Sequence, residues 1–273
     1  MTYTTVPVSL NDPAETVRRF EKAVTADTRV IVCSHASNVF GVIQPIRQIG
    51  AIAREHHIPF VVDAAQSAGV LPLDMVRDNI DFLCIAGHKG VYGPMGTGML
   101  LTSGRYALPS FIEGGTGSRS MDPRQPDDLP DHLESGTPNT AGICGLYAGM
   151  QFVKTGGIAH SYERELAHIV AVYRALENTQ GIQLYTPCPT AGRFAPVLSY
   201  NVAGVPSEKT AALLSEAGVA VRAGLHCAPL AHLKMGTQGG GTVRLAPCVF
   251  TTEDETQKVI KIFRQTAQKA LQT

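Results

Sequence analysis

The chain has 273 residues, 44% of them hydrophobic, and its 23 Lys and Arg side chains balance 23 Asp and Glu side chains. This length and composition allow one large domain or two modest ones with an ample core. The neutral balance gives no reason to expect a nucleic acid or a membrane surface as partner, and no apolar run reaches the roughly 18 residues of a transmembrane helix.

Cysteine usage and the first residues indicate the compartment. Six cysteines are scattered along the chain without a Cys-x-x-Cys pair, which is typical of reduced thiols rather than of a disulfide framework. Residues 1–5 lack the basic-then-apolar pattern of a signal peptide. We therefore expect a cytoplasmic protein, and we assign no metal ligands.

Helical and strand patterns alternate through the first hundred residues. Asp12 is a possible N-cap of the first helix, because Pro13 follows it at position N1. The second helix is expected to bury Ile46, Ile49 and Ile52, which share one face. The predicted elements are a helix over 12–26, a strand over 28–33, a loop over 34–41, a helix over 43–57 and strands over 58–62, 81–86 and 98–102. This alternation predicts a mostly parallel α/β sheet.

The middle of the chain contains a long connection and an apolar helix. Residues 113–131 are rich in Gly, Pro and Asp, and loops of this length are often functional. A helix is predicted over 141–153, and either Thr137 or Asn139 could cap it. Its N-terminus would favour an anion.

The pattern changes at about residue 156, where helices become longer and strands shorter. The predicted elements are helices over 158–178, 207–216 and 252–271 and strands over 195–201, 219–222 and 242–246. Helices on one face of a small antiparallel sheet would form an α+β domain. We therefore predict a large α/β domain over 1–155 and a smaller domain over 156–273.

Two strand ends carry the residues on which the functional interpretation depends. The apolar run before Asp63 and the run before Gly87-His88-Lys89 both end at polar residues. The carboxyl ends of parallel strands line one crevice, where ligands bind. A lysine there can form a Schiff base with a carbonyl cofactor, and an acid can hold the proton on that cofactor's pyridine nitrogen. Asp63 could alternatively cap a helix that follows the strand.

Five blocks of the sequence carry a family resemblance. They are Ser-His-Ala-Ser-Asn-Val-Phe-Gly over 34–41, Val-Val-Asp-Ala-Ala-Gln over 61–66, Gly-His-Lys over 87–89 with Gly-Pro at 93–94, Glu-Ser-Gly-Thr-Pro-Asn-Thr over 134–140, and Arg-Ala-Gly-Leu-His-Cys-Ala-Pro over 222–229. Together, and in this order, they resemble the class V aminotransferase superfamily, and within it the cysteine desulfurase and selenocysteine lyase branch. The resemblance implies fold type I of the pyridoxal 5'-phosphate enzymes.

The resemblance implies five residues that hold the cofactor. Lys89 would form the Schiff base and move the proton between the substrate Cα and C4′. Asp63 would partner the pyridinium nitrogen, Gln66 and Asn38 would bond the phenolate oxygen, and His88 would lie against the phosphate. Asn38 could also contact the substrate.

Thr137 and the oligomeric state are implied together. In related dimers a threonine at this position reaches the cofactor phosphate of the neighbouring subunit, so the resemblance implies a homodimer with shared active sites. A plain helix cap is the alternative role for Thr137.

Three further residues would carry the substrate chemistry. By resemblance Cys227 takes sulfur from L-cysteine as a persulfide, which requires a thiolate on a mobile loop. His226 could help to deprotonate it. Arg244 would bind the substrate α-carboxylate through its planar fork, and the role of Arg222 is left open. A sulfur-acceptor protein would then receive the persulfide sulfur.

The sequence departs from the family in two places. Ala86 stands where relatives usually have a hydroxyl that bonds the phosphate, a loss of roughly 0.5–1.5 kcal/mol. Residues 1–10 are also too short to hold the family's N-terminal segment, so we expect a fragment or a truncated chain. The alternatives to a desulfurase are a selenocysteine lyase, a class V aminotransferase and a non-catalytic remnant.

Overall fold

The computed structural model describes residues 2–272, without the side chains of residues 118 and 270–272. The helices are α1 (Pro13–Ala23), α2 (Ile46–Glu55), α3 (Thr140–Gly156), α4 (Ile158–Leu176), α5 (Ser207–Glu216), α6 (Pro229–Met235) and α7 (Glu253–Gln272), with a 3-10 turn at Gly117–Arg119. The strands are β1 (Ile31–Ser34), β2 (Phe60–Asp63), β3 (Phe82–Ala86), β4 (Gly98–Thr102), β5 (Ile182–Leu184), β6 (Leu198–Val202) and β7 (Val243–Leu245).

The first sheet places three strand ends at one edge. Its order is β1-β2-β3-β4, with β1, β2 and β3 parallel and β4 antiparallel to β3. Ser34 pairs with Asp63, and Asp63 pairs with Cys84. The carboxyl ends of β1, β2 and β3 therefore meet at the same edge, and the prediction of a mostly parallel sheet is confirmed.

Helix α2 packs its predicted apolar face against this sheet. Ile46, Ile49 and Ile52 are each 8% exposed or less, and they share one hydrophobic core with Phe60 and Val62. Burial of such aliphatic side chains contributes about 1.5–3 kcal/mol each. The inward face of α2 is confirmed.

Local hydrogen bonds set the first residues of α1 and of β1. The Asp12 carboxylate accepts a hydrogen bond from the Ala14 N–H at 2.9 Å, so the predicted N-cap is confirmed. The strand begins at Ile31 and not at residue 28. The Thr28 N–H donates to the Thr25 carbonyl at 3.0 Å. This bond closes a turn, so residue 28 cannot belong to an extended strand.

The second sheet is small and antiparallel, as predicted. Its order is β5-β6-β7, helices α5 and α7 contact it, and α4 shares its hydrophobic core. The rings of Tyr200 and Phe263, both 1% exposed, lie 5.2 Å apart between β6 and α7. The division of the chain at residues 155 and 156 stays a prediction.

Three sequence expectations for the second half differ from the structure. Residues 219–222 are not a strand, and only Arg222 forms a single bridge, with Arg244. Left-handed glycines at Gly218 (φ 82°) and Gly224 (φ 101°) flank this segment, so it runs beside β7 for one residue only. Strand β5 and helix α6 were not predicted, because three and seven residues are too few to show a period.

No helix among the residues described combines the length and the apolar character needed to cross a lipid bilayer.

Candidate active site

The Asp63 carboxylate stands at the sheet edge, where β2 ends. Its side chain is exposed, and Oδ1 accepts a hydrogen bond from the Ala65 N–H at 2.8 Å. The next residue, Ala64, donates its N–H to the Cys84 carbonyl of β3 at 2.9 Å. The acid therefore caps the turn that follows the strand, while its second oxygen makes no hydrogen bond within the described residues.

The turn after β2 lies against the turn after β3. Gln66 is half-buried in the first of these turns. Gly69 ends it with φ 78°, and a Cβ built there would lie only 2.1 Å from the Gly90 carbonyl oxygen. This close backbone approach brings the segment of Asp63 and Gln66 beside the segment of Lys89.

Lys89 and His88 occupy the tight turn that follows β3. The turn is closed by the Gly93 N–H, which donates to the Gly87 carbonyl at 2.7 Å, and by the Tyr92 N–H, which donates to the Lys89 carbonyl at 2.9 Å. His88 is exposed and Lys89 is half-buried. In the part of the chain that the structure describes, the Lys89 amine has no ion pair or hydrogen bond, so it is available for chemistry.

An aromatic cluster anchors the Lys89 turn to helix α3. The Tyr92 ring lies 5.5 Å from the Phe152 ring and 5.8 Å from the Phe250 ring, both edge-on. The Tyr92 hydroxyl also accepts a hydrogen bond from the Val249 N–H at 3.4 Å. The Lys89 turn is therefore held in place by residues from the second half of the chain.

Asn38 and Arg244 connect the loop after β1 to the second sheet. The Arg244 guanidinium donates from Nη1 to the Asn38 carbonyl at 2.8 Å, and the Asn38 amide donates to the His226 carbonyl. Arg222 and Arg244 exchange two backbone hydrogen bonds, of 3.1 and 2.7 Å. Burial lowers the pKa of Arg244, and the nearby Arg222 lowers it further.

Cys227 lies in the loop before α6, as predicted. Its side chain is exposed, and both His226 (φ 49°) and Cys227 (φ 58°) have left-handed backbone conformations. The Cys227 thiol raises the pKa of the Arg244 guanidinium against those larger effects.

His226 faces inward rather than toward solvent. Its Nε2 lies 2.9 Å from the Thr242 carbonyl and therefore carries the proton, while Nδ1 is buried without a hydrogen-bond partner. Burial lowers the pKa of His226. No hydrogen bond joins the imidazole to the Cys227 thiol among the described residues, so the role of His226 as a base stays a prediction.

Thr137 lies in the exposed segment that precedes α3. The helix is capped by Asn139, whose Oδ1 accepts the Gly142 N–H at 3.0 Å, and not by Thr137. Gly142 packs against Thr97, whose carbonyl accepts the Gly87 N–H at 2.9 Å. The start of α3 is therefore close to the Lys89 turn, and a contact of Thr137 with a phosphate stays a prediction.

The structure adds one residue that the sequence did not single out. His232 is 0% exposed, and its ring centre lies 6.0 Å from that of His226. Its helix, α6, begins at Pro229, and proline at N1 after a loop was the signal that could have located this helix.

Cavities and metal-binding groups do not add to this site. Two surface cavities of about 310 and 420 Å³ are lined by none of the candidate residues. The described side chains form no group of three or more His, Cys, Asp or Glu arranged to hold a metal ion.

Comparison with known proteins gives consistent matches. Residues 4–259 match the family described as Aminotransferase class-V. A probable cysteine desulfurase of Methanothermobacter thermautotrophicus is 34% identical over 247 residues, which are 88% of this chain and 60% of the relative. A probable cysteine desulfurase of Xylella fastidiosa strain 9a5c is 33% identical over 242 residues, which are 87% of this chain and 56% of the relative.

Two solved structures extend the likeness to three dimensions. A cysteine desulfurase of Thermococcus onnurineus NA1 matches with a TM-score of 0.85 at 31% identity, and one of Escherichia coli matches with 0.85 at 26%. Each match covers 93% of this chain and 63% of the solved chain. The chain thus spans 56–60% of the two relatives and 63% of the two solved chains described here. The likeness confirms the predicted fold type I, and with a family match over residues 4–259 the chain belongs to the aminotransferase class-V family.

Proposed function

We propose that this chain carries the catalytic residues of a pyridoxal-phosphate-dependent cysteine desulfurase. It would convert L-cysteine to L-alanine and take the sulfur as a persulfide on Cys227. The observation that carries the proposal is the close packing of Gly69 on Gly90, which brings the segments of Asp63 and Lys89 together at one sheet edge. The cysteine desulfurase names of the relatives support the same reaction.

The residues at this edge fit the cofactor in their chemistry. Asp63 offers an exposed carboxylate with one oxygen that no described group occupies, and Lys89 offers an amine without a competing partner among the same described residues. A carboxylate suits a pyridinium nitrogen, and an amine suits a carbonyl carbon. Gln66, Asn38 and His88 supply hydrogen-bonding groups for the phenolate oxygen and the phosphate, and Thr137 would reach the phosphate of a second copy.

Each residue then has a defined task. Pyridoxal phosphate, when bound, supplies the electron sink for the chemistry at the substrate Cα. Asp63 holds a proton at the pyridine nitrogen, and Lys89 removes the proton from the substrate Cα and returns it. Arg244 binds the substrate carboxylate with the part of its fork that does not contact Asn38.

The sulfur step balances without a further reactant. The Cys227 thiolate attacks the sulfur of the bound cysteine, a sulfur–sulfur bond forms, and the bond from that sulfur to Cβ breaks. The electron pair of the broken bond stays with carbon, which takes up a proton to become the methyl group of alanine. One cysteine and one thiol thus yield one alanine and one persulfide.

We also propose the setting of this reaction. A homodimer in the cytoplasm would share its active sites through Thr137, and a sulfur-acceptor protein would remove the sulfur from Cys227. The exposure of Cys227 supports such a transfer, because an acceptor thiol must reach it.

The test begins with the absorbance of the purified chain after incubation with pyridoxal phosphate and desalting. We expect a retained band near the visible edge that is absent in Lys89→Ala, with Lys154→Ala as an exposed-lysine control. A colourless wild-type chain would overturn the proposal for this chain and favour a non-catalytic role.

A second assay separates the enzyme classes. Alanine release from cysteine should be lost in Cys227→Ala while the absorbance band is kept. Turnover that survives this substitution would indicate an aminotransferase, and a preference for selenocysteine over cysteine would indicate a selenocysteine lyase.

A further inference from the structure

His232 occupies a buried position directly beneath the Cys227 loop. Its ring centre lies 6.0 Å from that of His226 and 5.7 Å from that of Phe40. Its Nδ1 lies 2.8 Å from the Thr237 hydroxyl, and its own backbone N–H donates to the Ala228 carbonyl at 3.2 Å. The imidazole is therefore held between the loop after β1, the Cys227 loop and the segment after α6.

The Cys227 loop needs such support. His226 and Cys227 are consecutive non-glycine residues with positive φ, a conformation that L-residues adopt only when their surroundings impose it. Two bonds hold His226 from outside the loop, one from its Nε2 to Thr242 and one from Asn38 to its carbonyl. The His232 imidazole lies beside its ring, with the two ring centres 6.0 Å apart.

The inward position of His226 determines where the neighbouring thiol stands. His226 is 9% exposed, whereas Cys227 is exposed. A loop that left the left-handed conformation would lose the bond from His226 to Thr242 and change the position of the thiol.

We propose that His232 is a positioning residue for Cys227. Its ring lies beside that of His226, keeps the left-handed pair in place and so holds the thiol in its exposed position. The catalytic meaning of this arrangement rests on the proposed function, but the arrangement itself does not. Burial lowers the pKa of His226 and of His232, which favours the uncharged form of the two neighbouring rings.

The test measures the reactivity of the thiol without any cofactor. The chain is treated with iodoacetamide near neutral pH, and alkylation of each cysteine is followed by peptide mass spectrometry. Cys144 is exposed on α3 and serves as the internal reference. In His232→Ala we expect the ratio of Cys227 to Cys144 alkylation to fall at least about threefold, because the loop no longer holds the thiol in its exposed position.

Two variants separate positioning from general loss of stability. Leu214→Ala removes a side chain that is also 0% exposed but lies on α5, and it should leave the ratio unchanged. His232→Phe keeps a ring without the bond to Thr237, and it should restore most of the ratio. If His232→Ala does not fold, His232→Phe is compared with His232→Leu, for which the same threefold fall is expected.

The proposal is wrong if the ratio of Cys227 to Cys144 alkylation in folded His232→Ala or His232→Leu equals that in the wild type. In the loaded enzyme the expected signature is a kcat about tenfold lower with the KM for cysteine and the absorbance band unchanged. Failure of the chain to bind pyridoxal phosphate would remove that readout only, and the alkylation ratio would still decide the role of His232.

Discussion

Arg244 donates a hydrogen bond from Nη1 to the backbone carbonyl of Asn38 at 2.8 Å, across 206 residues of sequence. The bond directs one edge of the guanidinium to the loop after β1 and leaves the rest of the fork for a carboxylate. Lysine keeps the charge but not the planar, bidentate geometry. In Arg244→Lys we expect the KM for cysteine to rise about tenfold or more, with a loss of unfolding free energy of about 1 kcal/mol.

The control for this prediction is Arg222→Lys, whose side chain is exposed and whose bonds to Arg244 are made by the backbone. It should change the KM much less. Steady-state kinetics and urea unfolding of both variants provide the measurements, and equal KM values in the two would exclude Arg244 as the carboxylate ligand.

Gly69 is required by the packing of the two site turns. A Cβ there would meet the Gly90 carbonyl oxygen at 2.1 Å, on a backbone with φ 78°. Gly104 has the same φ of 78°, with nothing within 4 Å of its built Cβ, so Gly104→Ala isolates the backbone strain. We expect Gly69→Ala to lower the free energy of unfolding by about 1–3 kcal/mol more than Gly104→Ala, by thermal or urea unfolding.

The same pair of variants tests the site. Gly69→Ala should also weaken retention of pyridoxal phosphate, because the Asp63 turn must move away from Lys89. Gly104→Ala should retain the cofactor as the wild type does. If both variants retain it unchanged, the assignment of the cofactor to the sheet edge of Asp63 and Lys89 is wrong.

Asn139 and Thr137 have separable roles before α3. Asn139→Ala removes the acceptor for the Gly142 N–H and should cost about 1 kcal/mol of unfolding free energy, whereas Asn139→Asp keeps an acceptor and should be nearly neutral. Thr137→Ala should leave stability within about 0.5 kcal/mol of wild type but reduce cofactor retention. A stability loss in Thr137→Ala as large as that in Asn139→Ala would point to a structural role for the threonine.

Glu165 makes stability depend on pH. It is 5% exposed on α4, and burial raises its pKa to about 7. The unfolded chain ionises this group near its ordinary value of 4.5. Between these two values the folded state holds a proton that the unfolded chain has lost. The contribution of Glu165 to the free energy of unfolding is therefore greatest below pH 4.5 and is lost as the pH rises to about 7.

Glu165→Gln removes this dependence. At about pH 8 the variant should be more stable than the wild type by about 1–3 kcal/mol, and near pH 4.5 the two should be nearly equal. Glu163→Gln is the exposed control on the same helix and should change stability by less than about 0.5 kcal/mol at either pH. Urea unfolding across the pH range measures both, and a parallel pH profile in Glu165→Gln would show that another group titrates.

The sequence alone was sufficient for the elements whose pattern is local. The face of α2 with Ile46, Ile49 and Ile52 follows from a 3.6-residue period, and the cap at Asp12 follows from Pro13. Asp63 and Lys89 could be assigned to one crevice because the ends of parallel strands always share a sheet edge. These inferences need only neighbouring residues and the geometry of regular structure.

Only the tertiary structure decided the contacts between distant segments. The bond from Arg244 to Asn38 and the packing of His232 on Phe40 depend on how distant segments meet, which no local period encodes. The strand expected over 219–222 is absent because glycines on both sides turn the chain away from β7. Asn139 rather than Thr137 caps α3 because the helix begins at Thr140. Both residues are suitable N-caps, so the sequence alone could not show at which of them the helix begins.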